Sequence, residues 1–452
     1  MHDKYYPILL YVLLQNKLQS IVFPVTKHSK KGISMTDVAQ NSSTAPAKTR
    51  YFAVTALTYA MFFMFAMTTD AVGEIIKIAK GDMNLSNTQA SAFHWATMTA
   101  IALSGILFGF FADKFGRKKT IIAGLALYGL ASAAFFTGTT FQLYFTLLFV
   151  SGLAIGIFKT AALALISDIT TSTEEHTRTM NALEGFFGIG AIVGPLLVIS
   201  MHSRGISWTY LYLIAAALCL IMIIWAVFTE YPETKKSTDE PINLGKSFAL
   251  MGNKYAMGFS MAIALYVAAE VSIFVWLPSY LDGYTGGQIA TWMATYAVMV
   301  FFVFRALGRF LGIWILKHFS WTTVMMVFSG VIFLCFAASA FFGQTVAAFL
   351  MPLSGLFMSM MYPTLNSKGI SCFPKTQHGA VAGLILFFTA VSAAAIAPLM
   401  GFVADSFGGD MRYGFILATV LAGFLFVGMI YNYLKNPAAT ALQQANVTEY
   451  NL

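Results

Sequence analysis

The feature that most constrains this chain is a recurrence of apolar stretches, each about 20 residues long. That length lets one helix cross a hydrocarbon layer about 30 Å thick. The stretches begin near residues 51, 90, 120, 143, 178, 207, 255, 288, 321, 345, 378 and 411, and the last ends near Leu434. Lipid offers no partner for a free backbone N–H or C=O, so runs of this kind must be helices. The predicted fold is therefore an all-α membrane protein with 12 transmembrane helices. Composition agrees, since 58% of the 452 residues are hydrophobic and only 10% are charged. A soluble domain carries about 25% charged residues. A secreted enzyme, a nucleic-acid binder and a disordered chain are excluded. The net charge of +8 does not change this, because no Lys/Arg run is long enough to follow a phosphate backbone. Cys219, Cys335 and Cys372 lie in or at the ends of apolar runs, without the spacing of a disulfide framework or a metal site.

Orientation follows from where the basic residues fall. With the N-terminus cytoplasmic, 20 of the 27 Lys and Arg lie on the inner side and 4 on the outer side. The positive-inside rule then puts both termini in the cytoplasm. The remaining three, Lys159, Arg305 and Arg309, lie inside spans. The first 50 residues hold a short apolar stretch, Pro7–Leu14, too short to span and without a cleavage site. The polar stretch Met35–Arg50 leads directly into the first span. Translation is expected to start at Met35, leaving residues 1–34 a misassigned start.

The chain repeats itself. A shift of 203 residues places Gly105 on Gly308, Gly109 on Gly312 and Lys114 on Lys317. The same shift carries Ser151, Gly152 and Leu153 onto Ser354, Gly355 and Leu356, Pro195 and Leu196 onto Pro398 and Leu399, and Tyr210 onto Tyr413. One offset that serves spans two, four, five and six indicates a duplicated block of six helices in the same orientation. The expected organisation is a cytoplasmic tail (1–50), a six-helix half (51–229), a cytoplasmic linker (230–253) with Pro232 and Pro241, a second half (254–435) and a tail (436–452).

The loop after the second span reads Gly109-Phe-Phe-Ala-Asp113-Lys114-Phe-Gly116-Arg117-Lys118-Lys119. It resembles the GxxxD(R/K)xGR(R/K) signature of the major facilitator superfamily. Gly109 ends a helix that must approach a neighbour closely, Asp113 suits a helix N-terminus or an Arg, Gly116 permits a tight turn, and Arg117 anchors the cytoplasmic face. The second-half copy, Gly312 to Lys317, has Leu316 in place of the acid, so the gate is asymmetric. Span five carries Gly188-Ile-Gly190-Ala-Ile-Val-Gly194-Pro195, similar to the Gly-Pro motif of drug antiporters in that superfamily. Four other segments resemble the fucose–galactose–glucose symporters: Leu85 to Ala90, Asn181 to Gly190, Tyr266 to Ile273, and Ser359 to Thr364. The resemblance covers nearly all of 51–434. It implies the major facilitator fold and cation-coupled monosaccharide uptake by alternating access. Those symporters use one acid in helix one and another in helix four. Here helix four offers Lys159, so both a proton and sodium, the ion of related glucose transporters, stay open.

Ionisable residues inside spans are costly and usually face a cavity or a partner. The resemblance puts helices 1, 4, 7 and 10 around a central cavity, with Asp70, Lys159, Glu270 and Asn366 on them. Depth suggests a Lys159–Glu184 ion pair, either a pair that substrate disturbs or a static clip. Asp70 and His94 lie at similar depth, as a proton relay or a headgroup-level polar pair. Glu74 is expected at the interface. Glu270 is the isolated mid-span acid, a candidate for ion coupling or for sugar hydroxyls. Arg305 and Arg309 are expected to snorkel or to form a cytoplasmic latch. Trp276 is a candidate to stack on a sugar ring, whereas Trp292 and Tyr296 suit packing or an interfacial belt. Asn181, Tyr362 and Asn366 complete the candidate substrate and ion residues, and Pro363 is expected to bend helix ten.

No HExxH, Walker A or GxSxG motif occurs, and no polar domain is present to hold a cofactor. The expectation is a non-enzymatic, multi-pass secondary transporter of the cell inner membrane, a monomer with a small sugar and lipid as its partners, no nucleic acid, no metal and no cofactor beyond the coupling ion. An efflux antiporter for drugs or metabolites, and a sugar sensor that does not transport, are the alternatives.

Overall fold

The computed structural model describes residues 51–108, 111–170, 173–232, 249–374 and 377–450. The tail 1–50 with Met35, most of the linker 230–253, and Gly109 lie outside the described residues, as does the side chain of Asp113. The described chain is helical, with no strand. The first six spans run Phe52–Met83, Asn87–Phe108, Arg117–Phe136, Phe141–Ile169, Thr173–Ser203 and Tyr210–Phe228. The next six run Lys254–Tyr280, Ala297–His318, Trp321–Phe342, Gln344–Ser371, His378–Ser406 and Met411–Lys435. Among the described residues, eleven helices are long and apolar enough to cross a membrane. The second span is a further helix of 22 residues, packed along the fourth and the eleventh. Residues Ala439–Tyr450 form one more helix beyond the last span.

Among the described residues several span starts carry a side-chain cap, Ser86 accepting the Gln89 N–H ahead of span two. Thr140, Asn253, Ser320 and Asp410 each accept a backbone N–H of the following turn, satisfying donors a helix start leaves free. The duplication is visible in the packing. A Cβ on Gly152 would meet the Thr97 carbonyl of the second span, and one on its repeat partner Gly355 would meet the Phe301 carbonyl of the eighth, each at 2.5 Å. The same small residue thus lets the same pair of helices touch in each half.

Two spans are broken. The first stops at Thr69, passes through Asp70 and Ala71, and resumes at Val72. It is therefore 32 residues long, longer than its apolar run suggested, because Ile75, Ile76, Ile78 and Ala79 continue a buried face. Glu74 is on that continuation, 3% exposed and 3.2 Å from Lys77. The tenth span breaks at Ser359 and Met360. Pro363 explains the place: it has no N–H for the Ser359 carbonyl, and it sits in the first turn of the new helix, where proline is tolerated.

The halves meet where spans one, two and five pack on seven, eleven and eight. Asp405 near one end of span eleven, and Arg117 at the start of span three, mark the two ends of the bundle. The halves approach closely at the Asp405 end, where a Cβ on Gly73 would strike the Phe274 carbonyl and one on Gly401 would lie 2.9 Å from the Asn87 backbone.

Candidate functional site

Six ionisable side chains from the two halves come within Coulombic reach of one another: Asp70, Lys159, Glu184, Glu270, Arg305 and Arg309. Arg305 forms an ion pair with Glu270, their side chains 19% and 10% exposed. This corrects the expectation that Arg305 snorkels. Glu270 is mid-span, and a counter-charge one helix away removes most of the cost of placing it there. Arg309 lies 3.6 Å from Glu184, a looser pair with side chains 39% and 46% exposed. This pair bridges span eight of one half and span five of the other. It also takes the partner expected for Lys159, so the Lys159–Glu184 ion pair does not form. The Lys159 ammonium stands instead over the rings of Phe65 at 4.8 Å and Phe62 at 6.0 Å, a cation–π contact.

Asp70 is 7% exposed and sits at the break in span one, where the Thr69 hydroxyl reaches its carboxylate at 3.0 Å. His94 does not touch it. The His94 Nε2–H donates to the Ala393 carbonyl of span eleven at 3.1 Å, leaving Nδ1 buried without a partner. That ring lines a small cavity inside the first half with Thr68, Thr69, Thr97, Tyr128 and Ser151. Trp276 is fully buried, and its indole N–H donates to the Ala397 carbonyl at 3.0 Å. It is packed against span eleven and offers no ring face to a ligand. Trp292 is 49% exposed, in keeping with an interfacial role. Tyr362 and Asn366 are half-buried on the second piece of span ten, and the Tyr362 ring lies 6.4 Å from that of Tyr266. Asn181 is exposed.

At the Arg117 end, Gly116 has φ +86°, a left-handed turn that glycine makes without strain. Asp113 lies in the short helix Phe111–Lys114. Arg117 is 4% exposed and pairs with Asp168 at 2.9 Å, fixing span three to span four. At the opposite end Asp405 holds the halves together. It accepts the backbone N–H groups of Asn87 and Thr88 at 3.0 and 2.8 Å, the Asn87 amide at 2.9 Å and the Thr88 hydroxyl at 2.7 Å. A carboxylate from one half thus caps the second span of the other. Sequence reasoning missed Asp405 and Asp168. Both lie at span ends, where an acid reads as a solvated loop residue.

The sequence profile of the Major Facilitator Superfamily matches residues 52–398. The chain belongs to that superfamily. Its members are transporters rather than enzymes, and this one is a multi-pass protein of the inner membrane. The L-fucose-proton symporter of Escherichia coli (strain K12) is 25% identical over 390 residues, covering 78% of this chain and 87% of that one. The glucose/galactose transporter of Brucella abortus biovar 1 (strain 9-941) is 23% identical over 408 residues, covering 86% and 96%. Among solved structures, the nucleoside transporter NupG aligns with a TM-score of 0.69 at 15% identity, covering 85% of this chain and 98% of that one. The fucose transporter FucP in the outward conformation aligns with a TM-score of 0.57 at 22% identity, covering 84% and 99%. These structures share the fold.

Proposed function

We propose that this chain imports a monosaccharide of the glucose type by symport with a proton or sodium, working as a monomer by alternating access. The two halves, 51–229 and 254–435, rock about a substrate held between them. The observation that carries this reading is the cluster of six charges contributed by both halves at their junction, in a chain whose relatives include a fucose symporter and a glucose/galactose transporter. Charges placed there change their surroundings whenever the halves move, which ties an ion to the conformational change. Both termini are cytoplasmic in this reading. The Asp405 end is then the outer one, and its closure describes a state that faces inward. Glu270, with Arg305 beside it, and Asp70 are the acids that respond to the ion. Tyr362 and Asn366 face the sugar.

The test is uptake of labelled glucose, galactose and mannose into proteoliposomes with imposed proton and sodium gradients. Accumulation above equilibrium supports the proposal and identifies the ion. Absence of uptake of these and of acidic monosaccharides by folded protein rejects it.

A second reading, an exporter of drugs or metabolites, is favoured by the small-residue face of span five. A Cβ on Gly190 would meet the Phe63 carbonyl and one on Gly194 the Met67 carbonyl of span one. Multidrug resistance protein 2 of Bacillus subtilis (strain 168) is 28% identical over 161 residues, but covers only 35% of this chain. Export predicts resistance to lipophilic cations in cells that carry the protein, without growth on sugar.

A further inference from the structure

The three cations and three acids between the halves cancel, so net charge does not select a substrate. Their hydrogen bonds do. Glu270 is taken by Arg305, Glu184 is met by Arg309, and Asp70 is reached by Thr69. Lys159 brings three N–H donors and, among the described residues, meets no oxygen at hydrogen-bond distance. Its neighbours are two phenylalanine rings. The buried Arg305 Nε–H also has no hydrogen-bond partner. An ammonium inside a span with no oxygen beside it is unfavourable.

We infer that the substrate carries a carboxylate. It is a sugar acid, of which a hexuronate is the simplest case, and its carboxylate is bound by Lys159. The inference rests on the reading of the chain as a monosaccharide importer. A neutral sugar presents hydroxyls, each of which brings a donor along with its acceptor. A carboxylate only accepts, and two oxygens offer about four lone pairs. An amino sugar would bring a second cation to the Lys159 ammonium. The charge-assisted bond to an ammonium is also roughly twice as strong as a neutral one. Phe62 and Phe65 hold the ammonium from one side and leave its other N–H groups free for the ligand.

The experiment uses the full chain in proteoliposomes, with labelled glucose, glucuronate and galacturonate, under proton and sodium gradients in turn. The expected result is hexuronate accumulation, with unlabelled hexuronate competing at least about tenfold better than glucose, or about 1.4 kcal/mol. Lys159→Gln is expected to lower hexuronate uptake at least tenfold, while Lys159→Arg keeps most of it. Accumulation of glucose without uptake or competition by either hexuronate overturns the inference and leaves the importer standing. Uptake of neither class, by protein with a normal elution profile and thermal transition, overturns both. Hexuronate uptake that survives Lys159→Gln overturns the role given to Lys159.

Discussion

Glu270 and Arg305 are both mid-membrane, and each is tolerable only because of the other. Removing one partner of a buried pair costs about 3–5 kcal/mol, because the survivor is left uncompensated. Glu270→Gln alone is therefore expected to lower the thermal stability of the detergent-solubilised protein sharply, whereas Glu270→Gln with Arg305→Gln recovers most of it. Equal melting temperatures for the single and double variants would remove the pair from the stability of the protein. Glu184 and Arg309 make the contrasting case. Their side chains are 46% and 39% exposed, and ion pairs with that much solvent around them are worth about 0–1 kcal/mol. Glu184→Gln is expected to reach the membrane with a near-normal melting temperature and yet to lose uptake. Normal uptake would make the pair a static clip. All four residues stand out in the sequence as charges within apolar runs. Their pairing does not, because one residue turns a helix face by about 100° and span boundaries carry errors of a few residues.

Breaks and caps decide how the helices themselves behave. The interruption of span ten has a local cause in Pro363, legible in the sequence to within a few residues. That of span one at Asp70 and Ala71 has no proline to announce it, only Gly73 just beyond it; the chain bends where Asp70 meets Thr69 and the second piece turns to pack on span seven. Asp405 works between elements. Its four bonds to Asn87 and Thr88 join spans that lie in different halves, and loss of a helix cap costs about 0.5–2 kcal/mol. Asp405→Ala is expected to shift the protein away from the state closed at this end. A reporter cysteine at Ala90, fully buried in span two, would then react faster with a membrane-impermeant thiol reagent. Unchanged labelling would show that Asp405 does not hold this end.

On the scale of the whole molecule, spans two and eleven are joined at the Asp405 end, and the proposed alternating access requires that this end opens. Cysteines replacing Asn87 and Asp405, oxidised to a disulfide, are expected to stop transport, and reduction to restore it. Turnover by the crosslinked protein would mean that this end need not part. The number of spans, the duplication and the superfamily were written in the chain alone, because lipid imposes a length and an apolarity on each crossing, and a repeat leaves one offset. The tight turn at Gly116 was legible as well, because a turn is set by its local residues. The partners of Arg117, Arg305 and Asn87 were decided only by tertiary structure, as was the burial of Trp276. Each depends on which faces of helices far apart in sequence meet, and a hydrophobic run that faces lipid on one side and protein on the other carries little mark of which side is which.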